Sequence, residues 1–316
     1  MSDLAASLPG AAARAAYLYH VEDLSQAEVA AKLGVSRATV HNLLREARET
    51  GLVRVTLDPD LLSRAEAAQN LTARYDLQSA VVFPGDNEEA ALKAAAGMLE
   101  GLVPHGARLG VAWGETVYRL AQHLPPARRG DLTVVQVVGS MASPHGFNAE
   151  DCSSLIAQRF GTTCVNLHAP AVLSNPALVA ALEAEPIIAR QLDALRGCDA
   201  VLFAVGLADK DSHIVQAGVV DPATLDDYAA RGAVGVVAGR FIDAEGREMR
   251  GSMDGRLIGI DLAALRAVPL RIGVAFGARR AGSLQAALRN GLVTHLLTDS
   301  GAAGPLLSRF SGAAAE

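Results

Sequence analysis

Aromatic residues make up only 4% of the 316-residue sequence, and cysteine occurs three times. Cys152, Cys164 and Cys198 are an odd, widely spaced set without metal-ligand spacing. They read as buried thiols of a cytoplasmic protein rather than as a disulfide framework or a metal centre. No apolar run reaches the ~18 residues that a membrane span needs. The opening MSDLAASLPG lacks the charged start and long apolar stretch of a signal peptide. A cytoplasmic chain with no membrane partner, no metal and no cofactor is therefore expected. Net positive charge is missing too, the balance being −6. What the sequence has in quantity is aliphatic bulk: half of its residues are hydrophobic, enough for a sizeable core. Its length suits about two domains, one small and one large.

The stretch Leu24–Arg54, LSQAEVAAKLGVSRATVHNLLREARETGLVR, is the best-marked local pattern. Ser25 with Glu28 three residues on forms a capping-box start. Val29, Ala30 and Leu33 then share one helical face. Gly34 follows where a left-handed turn residue is needed, Val35 is placed to fill the gap between helices, and Ser36 caps a second helix. Along it Val40, Leu43 and Leu44 point inward, while Ser36, Arg37, Thr39, His41, Asn42 and Arg45 face out. Two short helices joined by a tight glycine turn form a helix-turn-helix, whose second helix enters the major groove of double-stranded DNA. The outward residues have the chemistry that reading a duplex needs. Arginine forks onto guanine, asparagine onto adenine, and threonine meets base or backbone. An ordinary helical hairpin is the bland alternative, but small Ala30, turn Gly34 and the apolar positions all fall where the tight crossing requires them.

The charge distribution agrees with this reading. Before Asp58 there are six Lys/Arg and six Asp/Glu, so the whole of the −6 belongs to the remainder. Ser36 to Arg54 holds four arginines against two glutamates. Such a module binds DNA modestly, and affinity is expected to come from an oligomer that engages two or more half-sites.

Ala11–Val21 reads as a helix beneath the helix-turn-helix, with Tyr17 and Leu18 inward. Leu52–Leu57 alternates like a short strand, a wing or tether. Asp58-Pro59-Asp60 breaks the chain and caps the Ala-rich helix Leu61–Tyr75, which places the domains at 1–58 and 59–316. From about residue 79 apolar runs recur at Ala80–Phe83, Leu109–Trp113, Leu132–Val138, Cys164–Leu167, Ala200–Val205, Leu270–Phe276 and Val293–Leu297. Helical segments such as Thr116–Leu124, Leu155–Phe160 and Leu284–Asn290 follow most of them. The fold class is therefore α/β, a largely parallel sheet covered on both faces behind the helix-turn-helix. In such sheets ligands bind outside the carboxyl ends of the strands. Gly114-Glu115-Thr116, Gly139-Ser140, Gly206 and Gly277 recur there, where glycine lets backbone amides approach a ligand. Any one of them is an ordinary turn; their recurrence points to a binding site.

These residues resemble the SorC-type (SorC/DeoR sugar-binding) bacterial transcriptional regulators, from about Ala12 to Leu307. The resemblance rests on YHVEDLSQAEVAAKLGVSRATVHNLLREARETGLVRV, LGVAWGETV at Leu109–Val117 and VVQVVGSM at Val134–Met141. It extends through GAVGVVAGRFIDAEG at Gly232–Gly246 and RLIGI at Arg256–Ile260 to VAFGARRAGSLQAALRNGLVTHLLTDSGAAGPLL at Val274–Leu307. It implies a Rossmann-like effector domain, related to sugar-phosphate isomerases and deaminases, that binds a sugar or polyol phosphate, usually within a tetramer. Gly114 and Thr116 then fall at a phosphate-contacting Gly-x-Thr turn, with Glu115 between them. Gly139, Ser140 and Asn148 fall on the next ligand loop, and Asp243 near the sugar. Arg280 replaces a usual lysine, keeping the charge but presenting a planar fork. Two positions depart from the family: Val236 stands where an aspartate often meets ligand hydroxyls, and Glu115 where a basic or neutral residue is more frequent. Both leave room for a neutral polyol.

The function implied is a DNA-binding regulator of carbohydrate or polyol metabolism controlled by such an effector. The alternative is a sugar-phosphate isomerase or deaminase carrying an appended DNA module. That chemistry needs an acid/base pair. His145, Asp209 and Asp243 are the candidates, yet no two of them form a recognisable catalytic motif.

Overall fold

The computed structural model describes residues 4–141 and 146–308. It divides into two compact units, Met1–Leu62 and Ser63–Glu316.

The first unit is helical: α1 (Leu4–Ser7), α2 (Ala11–His20), α3 (Gln26–Leu33) and α4 (Arg37–Glu49). The capping box forms as its spacing requires. The Ser25 N–H donates to Glu28 Oε2 at 2.8 Å, and the Glu28 N–H donates to Ser25 Oγ at 3.4 Å. The Ser25 hydroxyl, which donates to the same Oε2 at 2.7 Å, and the Ser25 N–H hold the Glu28 carboxyl below its usual range, the hydroxyl contributing most. Gly34 ends α3 at φ +67°, and Ser36 Oγ accepts the Thr39 N–H at 3.1 Å to start α4. Ala15, Leu18, Val29, Val40, Leu44 and Ala47 form the core. Tyr17, Leu33 and Leu43 pack against its edge.

Two local expectations fail here. Val35 remains 37% exposed, because Val29, Ala30, Val40 and Leu44 already fill the crossing. Leu52–Leu57 forms no strand: alternation makes a strand only with a hydrogen-bonding neighbour, and none pairs with it among the described residues. Leu52, Val55 and Leu57 are exposed instead. The helix α5 (Pro59–Tyr75) begins as the sequence indicates, with the Asp58 carboxylate accepting the Asp60 N–H at 2.9 Å. The two units divide after its first turn.

The second unit is built on β1 (Ser79–Phe83), β2 (Arg108–Val111), β3 (Thr133–Gln136), β4 (Thr163–Val165), β5 (Ala200–Leu207), β6 (Gly235–Val237), β7 (Arg240–Ile242), β8 (Leu270–Ala275) and β9 (His295–Asp299). The intervening helices are α6 (Glu88–Leu102), α7 (Glu115–His123), α8 (Ala149–Phe160), α9 (Pro176–Glu183), α10 (Pro186–Arg196), α11 (His213–Gln216), α12 (Pro222–Ala230), α13 (Leu262–Ala267), α14 (Ala281–Arg289) and α15 (Ser300–Ser308). The strand order is β1-β9-β8-β5-β2-β3-β4, all parallel. Each of the seven apolar runs becomes one of these strands. Only β6 and β7 are new, an antiparallel hairpin extending from β5.

Alternation along β5 shows how the sheet is covered. Ala200 and Leu202 face a core with α6, α7 and α8. Val201, Phe203 and Val205 face one built with α10, α13, α14 and α15. A smaller cluster of Ile214, Val220, Leu225, Tyr228, Val236, Phe241 and Met253 holds the hairpin against α11 and α12. Tyr228 and Phe241 stack there at 4.3 Å between ring centres.

Candidate functional sites

The cap Ser36 and, on α4, Arg37, Thr39, His41, Asn42 and Arg45 are all exposed, while Val40, Leu44 and Ala47 anchor the opposite face. The Arg45 guanidinium donates to Asn42 Oδ1 at 3.3 Å and lies 3.8 Å from Glu49. These are exposed contacts that a phosphate or a base edge can displace at little cost. The helix thus presents a polar ridge whose rigidity comes from the buried side.

In the second unit the strand order sets the position of a crevice. From β2 the chain proceeds to β3 on one side, and from β5 to β8 on the other, so the sheet switches direction between β2 and β5. A crevice at that point is where α/β sheets take ligands. A cavity of about 720 Å³, counting its open mouth, lies there. Trp113 and Gly114 line it from the turn after β2, Glu115 and Thr116 from the start of α7, residues 204–207 from β5, and residues 211–214 from the next loop and the start of α11. Val236, Ala238 and Gly239 contribute from the hairpin and Arg280 from the turn after β8.

Five of the sequence-proposed effector residues meet in this cavity: Gly114, Glu115, Thr116, Gly206 and Arg280. Gly114 precedes α7 at φ +148° without a side-chain cap, so the first amides of the helix are open to a ligand. Such a helix start attracts anions. Arg280 follows Gly277 on the 3-10 turn Ala278–Arg280, and one of its N–H groups donates to the Phe276 carbonyl at 2.8 Å. Glu115 leans the other way, its carboxylate 4.0 Å from Arg119, which Glu88 and Glu89 already occupy at 2.7 and 2.6 Å. Val236 lies on the cavity wall and makes it apolar at that point.

The remaining five are placed elsewhere. Gly277 positions rather than lines. At φ +84°, its N–H donates to both carboxylate oxygens of buried Asp299 at 3.0 Å, which fixes the turn carrying Arg280. Gly139 is packed under a neighbouring loop, where a Cβ would lie 2.7 Å from the Pro170 carbonyl. Ser140 and Asn148 border a separate depression with Met141, Glu150 and His168. Asp243 is spent on a turn: Oδ1 accepts the N–H groups of Glu245 and Arg247 at 3.0 and 2.9 Å, and Oδ2 accepts Arg247 Nε at 2.9 Å. Burial pushes its carboxyl up, but the Arg247 amide and guanidinium outweigh that and hold it below the usual range. The stretch Phe241–Gly246 therefore builds a turn, in which the short acid meets two backbone donors.

The enzyme candidates fare no better as a pair. Asp209 accepts Arg279 at 3.1 Å and the Asp211 amide at 3.0 Å, in a loop unconnected with Asp243. His145 lies outside the described residues. No cluster that could hold a metal ion is present among the described residues.

Sequence reasoning missed Trp113, Asp211, Ser212, His213 and Ala238. Ser212 was hidden because a serine before a short helix reads as a cap. Ala238 was hidden because its role is conformational. With Gly239 it forms the two-residue turn of the hairpin, at φ +49° and +80°. The left-handed conformation costs an L-residue about 1–2 kcal/mol, and glycine gives back about 0.5–1 kcal/mol through chain entropy. Ala238→Gly is thus expected to stabilise the protein by about 0.5 kcal/mol, read from urea unfolding midpoints. A loss of stability would show that the turn is not left-handed in solution.

With this geometry in place, comparison with known proteins decides the family. The "Putative sugar-binding domain" family matches residues 60–308, and "Sigma-70, region 4" matches residues 3–50. The transcriptional regulator YjhU of Escherichia coli (strain K12) is 38% identical over 306 residues, covering 93% of each chain. The chain belongs to the SorC-type family of transcriptional regulators. The "Deoxyribonucleoside regulator" of Bacillus subtilis (strain 168) is 29% identical to this regulator, over 93% of this chain and 96% of that one. The crystal structure of the full-length sorbitol operon regulator SorC from Klebsiella pneumoniae superimposes with a TM-score of 0.71 at 25% identity. It covers 97% of the regulator and 99% of that chain. A helix-turn-helix followed by a sugar-binding α/β domain is therefore the architecture of a regulator, and the enzyme reading has no support from these relatives. No helix is long and apolar enough to cross a membrane among the described residues.

Proposed function

We propose that the protein is an operator-binding regulator of carbohydrate or polyol metabolism, acting in the cytoplasm as a homo-oligomer, most simply a tetramer. Its effector is a small sugar or polyol, in phosphorylated form, bound in a Rossmann-like domain spanning 59–316. The DNA-binding domain spans 1–58. The observation that carries the effector reading is the cavity at the switch point, where Arg280 and the uncapped start of α7 converge on one space. Gly114 and Thr116 fit the phosphate end, Arg280 supplies the cation, and Gly206 and Val236 set the floor. Glu115 leans toward Arg119, which lessens its repulsion of an anion. No catalytic role is assigned to any residue.

Operator control follows if the ligand binds one arrangement of subunits better than another, changing the spacing of the reading helices. Thermal-shift screening against sugar phosphates, polyol phosphates and their neutral parents tests the effector reading. A phosphorylated compound should stand out, and a screen with no hit would leave an architectural DNA binder.

For DNA the proposed contacts are Ser36, Arg37, Thr39, His41, Asn42 and Arg45. Arg37→Ala is expected to weaken binding to a selected operator by about 1–3 kcal/mol if its fork meets guanine. Titration against random duplex at the same salt is the control. Equal loss on both would reduce Arg37 to a phosphate contact.

A further inference from the structure

A serine hydroxyl in the cavity is unused by the fold among the described residues. Ser212 is only 7% exposed and lines the cavity, yet its hydroxyl has no hydrogen-bond partner among the described residues. Its main chain, by contrast, is fully engaged. The N–H donates to the Asp209 carbonyl at 2.9 Å, and the carbonyl accepts the Val215 and Gln216 amides at 3.1 Å each. Ser212 occupies the cap position of α11, where a serine side chain ordinarily accepts an amide of the first turn, but it makes no such bond. Buried hydroxyls are nearly always satisfied, so a lone one on a cavity wall marks a place for a ligand atom.

Its surroundings say which kind of atom. The adjacent Asp211 also lines the cavity, its carboxylate accepting Arg279 at 3.2 Å. Arg279 is shared between Asp209 and Asp211 at 3.1 and 3.2 Å, so that cation is already committed. An anionic oxygen next to Asp211 would be repelled. A neutral hydroxyl suits the position, because it can donate to or accept from Ser212 Oγ.

We infer that Ser212 is a binding residue that reads a hydroxyl of the effector. The loop from Asp211 to His213 then takes the polyol end of the ligand, while Arg280 and the start of α7 take its anionic end. This rests on the effector reading above, and the experiment separates the two. Wild type and Ser212→Ala are titrated by calorimetry with glucitol 6-phosphate, glucose 6-phosphate, ribose 5-phosphate, the three parent compounds and inorganic phosphate. The compound that binds wild type should bind Ser212→Ala about tenfold more weakly, the size of one neutral hydrogen bond. Inorganic phosphate should bind both proteins alike, and the melting temperature of ligand-free Ser212→Ala should not fall. Among monodeoxy analogues of that compound, one should lose the same factor on wild type and nothing further on Ser212→Ala. Equal affinity of the compound for both proteins, or a parallel loss of inorganic phosphate, overturns the assignment of Ser212 and leaves the effector site standing. If no compound binds wild type, the effector reading itself fails, and this inference with it.

Discussion

Gly246→Ala is expected to destabilise the second unit by about 2–5 kcal/mol, combining the left-handed penalty with overpacking. Gly246 closes the turn after β7 at φ +75°, its N–H donating to the Asp243 carbonyl at 2.9 Å. A Cβ at that position would collide with the Ala286 carbonyl of α14 and approach Asn290 Cβ at 2.6 Å. Neither can retreat cheaply. The Ala286 carbonyl belongs to the helix backbone, and Asn290 Nδ2 donates to the Glu245 carbonyl at 3.1 Å across the same junction. Because α14 begins directly after Arg280, the damage should reach the proposed effector cavity as well. Denaturant unfolding of full-length protein measures the first effect, and loss of the ligand-induced thermal shift measures the second. A variant as stable as wild type would mean that the turn and α14 are not packed as described.

Arg280→Gln should bring a phosphorylated effector down to roughly the affinity of its neutral parent, a loss of about 2–5 kcal/mol. The cause is electrostatic. Arg279 is held by two aspartates, so Arg280 is the arginine of this turn left to face the cavity. Its bond to the fold, to the Phe276 carbonyl, can be lost to glutamine without unpairing a charge. The melting temperature without ligand should therefore change little. Calorimetric titration of the phosphorylated and neutral forms separates the outcomes. Equal weakening of both would mean that Arg280 shapes the cavity instead of binding an anion, and would favour a neutral polyol as effector.

Much of this molecule is readable from residue order because its signals are local. Ser25, Glu28, Gly34 and Ser36 fix the helix ends of the DNA-reading unit through short-range backbone and side-chain bonds. The seven parallel strands announce themselves as apolar runs because both faces of the sheet are buried. The β6–β7 hairpin escaped notice, since its strands are three residues each and its turn uses an alanine at positive φ. The glycine-bearing strand ends pointed to the carboxyl edge of the sheet, yet only some of them share a cavity. Gly114, Thr116 and Gly206 meet because β2 and β5 are neighbours at the switch point. Gly139 and Asn148 do not join them, because they leave from β3 and the start of α8.

The amino-acid order by itself determined the helix-turn-helix, the α/β class and the family, since each depends on caps, periodicity and motifs within short reach. Strand order was decided only by the tertiary structure. It brings Arg280, Thr116 and Ser212 to one space, consumes Asp243 in a turn and leaves the Ser212 hydroxyl unanswered among the described residues. Those outcomes depend on contacts between residues far apart in the chain, and no local pattern encodes which donors a side chain will meet there.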